Sequence, residues 1–86
     1  MRVIAYENGR LITDERDALT SGASLLMLID GTGSRVIRGG VFYIDGQMAA
    51  PGEYRLMTDG GNAMVVTVDE NGMATYTVEW GGEKDA

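Results

Sequence analysis

Thirteen carboxylates, with no histidine and no cysteine, frame the chemistry open to this 86-residue chain. The missing thiols exclude disulfides, cysteine nucleophiles and soft metal sites. The missing imidazoles remove the usual neutral-pH general base and the commonest zinc ligand. Ser21, Ser24 and Ser34 therefore have no histidine with which to complete a Ser-His-acid arrangement, and the one lysine, Lys84, stands in the charged terminal run. Paired carboxylates would suffice for glycoside hydrolysis, but acids are so abundant here that spacing singles out no pair.

The fragment Leu28-Ile29-Asp30-Gly31-Thr32-Gly33-Ser34 resembles the Asp-Thr-Gly turn of retroviral-type aspartic proteases, in which two short chains share two carboxylates. Gly31 interrupts the contiguous Asp-Thr/Ser-Gly pattern where the catalytic acid is positioned. The reading that fits the residues is a glycine-rich loop after a buried strand, with Asp30 accepting local amide hydrogen bonds. Gly31-Thr32-Gly33-Ser34 and Gly39-Gly40 lack the length and the Lys-Ser/Thr ending of a phosphate loop. The acidic groups Asp14/Glu15/Asp17 and Asp69/Glu70 lack the ligand series of a calcium loop. The expectation is a protein that is not an enzyme, with no catalytic, cofactor-binding or metal-ligating residue.

The elements that would position any functional side chain are short. Thirteen glycines and a single proline punctuate brief apolar stretches, which suits strands and tight turns. Arg2 to Glu7 and Arg10 to Thr13 flank Asn8-Gly9, a hairpin signal. Residues 14 to 29 are ambiguous. Ala18, Leu19, Gly22, Ala23, Leu26 and Ile29 recur at helical spacing, with Thr13 or Asp14 as cap, but Thr20-Ser21-Gly22 opposes one long helix. The preferred reading is a short helical turn or loop around residues 14–19, a possible short helix, followed by a buried strand through Leu25-Leu26-Met27-Leu28-Ile29.

Further along, Arg35 to Arg38 and Val41 to Ile44 form either two strands or one strand broken at Gly39-Gly40. Asp45-Gly46 is another turn signal, and Pro51-Gly52 favours a type II turn. Ala63 to Val68 and Met73 to Trp80 flank Asp69-Glu70-Asn71-Gly72 as an antiparallel hairpin. Alternation in the second strand sends Tyr76, Val78 and Trp80 inward and Thr77 and Glu79 outward. The fold class is all-β, a small antiparallel sandwich or partly closed barrel. An α+β fold becomes preferred if residues 14 to 29 are one helix. Residues 1–82 read as a single β-rich domain and residues 83–86 as a short charged C-terminal tail.

A formal charge of −6 disfavours nucleic-acid phosphates, and no apolar run is long enough to span a bilayer, so neither nucleic acid nor membrane is an expected partner. No secretory leader is visible, which makes a cytoplasmic or intracellular home the default. The leading expectation is a structural or assembly module that contacts protein, either itself as a homo-oligomer or another chain. A repeated component of a viral or mobile-element assembly, incorporated into a virion, is one form of it. Tyr43, Tyr54 and Trp80 are the aromatic interface candidates; Met48, Met57, Met64 and Met73 would add adaptable apolar surface if turned outward, but their strand spacing fits a core role at least as well. One alternative is an acidic inhibitor that occupies the nucleic-acid-binding surface of a basic protein through Glu7, Asp14, Glu15, Asp17, Asp69 and Glu70. Another is a carbohydrate-binding β module with Trp80 stacked on a sugar.

Overall fold

The computed structural model describes residues 1–81. The expected tail at 83–86, and Gly82 before it, lie outside those residues. β1 (Arg2–Glu7) turns at Asn8 and Gly9, with φ of 52° and 77°, into β2 (Arg10–Ile12). Positive φ at both central positions is the type I′ pattern, whose twist matches that of the strands it joins. The helix α1 (Glu15–Thr20) follows, and Asp14 is its cap: a carboxylate oxygen accepts from the Asp17 amide at 3.0 Å. The helix stops at Thr20-Ser21-Gly22, where Gly22 adopts a φ of 69°. Of the two forms expected around residues 14–19, helical turn or loop, the helical one is found, and the apolar run after it is a strand.

That strand, β3 (Leu25–Asp30), hairpins into β4 (Gly33–Arg38) through the loop expected of Asp30. One Asp30 oxygen accepts from the Thr32 amide at 2.8 Å, the Thr32 hydroxyl at 2.7 Å and the Gly33 amide at 3.1 Å. Gly39 and Gly40 (φ 59° and 80°) lead to β5 (Val41–Ile44), and Asp45 and Gly46 (φ 51° and 85°) lead to β6 (Gln47–Met48). Both pairs repeat the type I′ pattern, so Gly39-Gly40 separates two strands rather than bulging one. β7 (Gly52–Met57), β8 (Ala63–Val68) and β9 (Ala74–Glu79) complete the chain. The type II turn expected at Pro51-Gly52 does not form. Gly52 has a φ of 149° and is already paired with Val68 as the first residue of β7, whereas that turn needs about +80°.

The strands make two antiparallel sheets, β2-β1-β3-β4-β5-β6 and β7-β8-β9, and neither closes into a barrel. One face of the larger sheet carries Val3, Ala5, Leu26, Leu28, Ile37 and Phe42. It shares a core with Leu56, Met64, Val66 and Val68 of the smaller sheet and with Ala18 and Leu19 of α1. Met64 is thus core, the inward of the two placements open to it from the sequence. The alternation expected in β9 holds: Tyr76 and Val78, with Trp80 just beyond, pack against the core, while Thr77 and Glu79 face solvent. No helix among the described residues is long and apolar enough to cross a membrane.

Candidate interaction surface

Pairing register determines which side chains share the second face of the six-stranded sheet, because residues directly opposite one another project to the same side. One row crosses Leu11, Tyr6, Leu25, Arg38 and Val41. A middle row crosses Ile4, Met27, Val36, Tyr43 and Met48. A third is shorter, with Arg2, Ile29 and Ser34. The middle row is uncharged across five strands. Among the described residues, this face carries two arginines and no carboxylate, on a chain whose formal charge is −6.

The opposite face of the same sheet already supplies the core, so this sheet is apolar on both sides. Antiparallel sheets with one face in water ordinarily alternate apolar-in and polar-out. Here α1 and the smaller sheet both pack on the core side, through Ala18 and Leu19 and through Leu56 to Val68. The outer rows are left to solvent. Met48 is 66% exposed, Leu11 59%, Tyr6 45% and Ile29 39%, and these four belong to the six large hydrophobic residues with the greatest exposure. Between the apolar rows the Arg38 guanidinium lies over the Tyr43 ring, 5.5 Å from its centroid. A shallow depression bounded by Ser34, Val36, Arg38, Tyr43 and Gly46 opens beside that pair.

Of the aromatic candidates named from the sequence, Tyr43 lies on this face. Tyr54 does not: its ring packs edge-on against Phe42 and its hydroxyl donates to the Ala50 carbonyl at 2.6 Å. Trp80 sits at the rim of the core with the Arg16 guanidinium 4.6 Å from its ring centroid. Met48 is on the apolar face, Met57 on the outer face of the smaller sheet, and Met73 in the β8–β9 turn against Gly40.

The acidic candidates are dispersed and several have local tasks. Glu7 and Asp17 border one depression together with Arg10. Asp14 caps α1. Glu15 is turned into the molecule, accepting from the Thr58 hydroxyl at 2.5 Å, the Gly60 amide at 3.0 Å and the Asn62 side-chain amide at 2.6 Å. Asp69 holds its own hairpin by accepting from the amides of Asn71 and Met73, both at 2.9 Å. Glu70 is exposed at the same tip.

For the outer-face residues Ile4, Tyr6, Leu11, Leu25, Met27, Ile29, Val36 and Val41, sequence reasoning named no contact role, and its expectation that the strand through Leu25 to Ile29 is buried holds for one face only, with Leu26 and Leu28 buried and Ile29 39% exposed. The available signal was continuity: Val3-Ile4-Ala5-Tyr6 and Leu25 to Ile29 are uninterrupted apolar runs, the pattern of a strand covered on both faces. Among the described residues, no group of His, Cys, Asp or Glu side chains is arranged to hold a metal ion. Comparison with protein-family models, curated proteins and solved structures yielded no match.

Proposed function

We propose that this protein is a non-catalytic contact and assembly module that uses the outer face of its six-stranded sheet to bind protein. The observation that supports this is the uncharged middle row, Ile4 through Met48, on a sheet whose other face is already occupied by the core. Apolar surface of this extent on an acidic chain costs solubility unless something covers it, and covering it releases ordered water in proportion to area. In a viral or mobile-element particle the same face would join repeated subunits.

The test is solvent footprinting of Met27, Val36 and Tyr43 with a carbene reagent, first in membrane-cleared extract of the native source and then on purified, diluted chain. The expected result is strong protection in the extract and labelling after dilution. Equal labelling in both overturns the reading.

A further inference from the structure

We propose that the occupant of this face is a second copy of the chain, packed face to face about a two-fold axis that runs along the middle row. The inference rests on the contact-surface reading above and adds the identity of the partner.

Self-complementarity is the first argument. A two-fold axis along the middle row sets each of its residues over the same residue of the other copy, so Met27 meets Met27 and Val36 meets Val36 at the centre, with no charge buried. The same rotation exchanges the two flanking rows. Arg2 of β1 then lies above Tyr6 of the other copy, and Arg38 of β4 lies above Ser34. Among the described residues, no arginine faces an arginine and no carboxylate is drawn into the contact. Strands of the two copies run aligned, the arrangement in which stacked sheets commonly pack, with about 30° of relative rotation from their twist.

Area is the second argument. Each outward position of a sheet occupies about 33 Å², from a strand spacing of about 4.8 Å and a two-residue repeat of about 6.8 Å. The three rows therefore present on the order of 400 Å² in projection, and two such faces with their side-chain relief bury on the order of 1,000 Å² of accessible surface, about the threshold for a specific pair. Charge supplies the third argument. Carboxylates occur at the hairpin tips and on other faces, so two copies repel through their margins while attracting through their centres. Such a pair tightens with added salt, whereas an arginine-to-acid contact with a foreign protein loosens.

The experiment is the native mass of the full chain by light scattering over a concentration series at low and high salt. It is accompanied by Met27→Lys, Met48→Lys and the single-cysteine variant Met27→Cys on this cysteine-free chain. The expected result is twice the chain mass, favoured by salt. Met27→Lys should weaken association by about 100-fold or more, because a lysine would be buried against its own copy, and the marginal Met48→Lys should weaken it less. A bismaleimide of about 10 Å, matched to the spacing of packed sheets, should join Met27→Cys to itself. Should Met27→Lys fail to fold by circular dichroism, Met48→Lys and the cross-link decide the matter. A monomer at every concentration and salt, or a dimer indifferent to both lysine variants and the cross-linker, overturns the inference. A monomer that is nevertheless protected in membrane-cleared extract overturns the second copy while leaving the contact surface standing. A monomer that binds lipid vesicles through this face overturns both.

Discussion

The ring of Tyr54 meets that of Phe42 edge-on, with centroids 5.3 Å apart and planes at 63°, and this contact joins the smaller sheet to the larger. Phe42 is fully buried and belongs to the same core cluster as Leu26, Ile37 and Leu56. Phe42→Ala removes both the ring contact and the largest filled volume between the sheets, and is expected to cost about 3–5 kcal/mol. That is a large part of the ~5–15 kcal/mol stability of a small domain. Tyr54→Phe keeps the ring and loses only the hydrogen bond to Ala50, an expected cost of about 1 kcal/mol. Urea unfolding of the two variants beside the parent checks both the sizes and their order.

Glu15 ties α1 to the β7–β8 connection through three donors, from Thr58, Gly60 and Asn62. With six residues the helix is too short to persist alone, so its order depends on this anchor and on Ala18 and Leu19 in the core. Glu15→Ala strands partly buried donors and is expected to cost about 1–3 kcal/mol. Gly60→Ala should disturb the same site, since a Cβ there would lie 2.6 Å from a Glu15 carboxylate oxygen. Hydrogen exchange should show residues 14–21 opening in both variants while the strands of the larger sheet retain protection.

Local geometry was legible in the sequence wherever one residue type has few conformational options. Asn8-Gly9 and Asp45-Gly46 form the turns their residues favour, and Thr20-Ser21-Gly22 ends the helix that Asp14 begins. Pro51-Gly52 misled because the pair's turn preference is weak beside the ladder that recruits Gly52 to Val68. The candidate surface was only half legible. Alternation identifies one inward face per strand, but whether the other face is wet depends on which elements cross it, and that is set by pairing between β1 and β3, far apart in sequence. Tyr43 and Tyr54 illustrate the limit: both are strand tyrosines, and only the sheet assembly sends one outward and the other against Phe42.

Gly46 and Gly31 provide a matched pair for the turns. Each has open space where a Cβ would stand, but Gly46 has a φ of 85° whereas Gly31 does not occupy the left-handed region. Gly46→Ala is expected to destabilise by about 1 kcal/mol from backbone strain, while Gly31→Ala should be close to neutral. Equal thermal shifts in the two variants would show that side-chain space, and not φ, governs these positions.

Acid should act through two exposed carboxylates. Hydrogen bonds from the Thr32 hydroxyl, and then from the Thr32 and Gly33 amides, hold Asp30 below the ordinary aspartate range. The Arg55 guanidinium, hydrogen-bonded to Glu79 across the outer face of the smaller sheet, holds that carboxyl low as well. A carboxyl whose folded pKa is depressed favours the folded state above its unfolded value, about 4 for these groups. Its contribution is lost as pH falls through the lower folded value. Carboxyl-detected NMR titration should therefore place both midpoints below those of the unfolded chain. Salt separates the two causes: the Arg55–Glu79 pair is exposed and screened, so 1 M salt should move Glu79 back towards its ordinary value. Asp30, held by short local hydrogen bonds within one turn, should stay low, and Thr32→Ala should raise it by removing the hydroxyl donor.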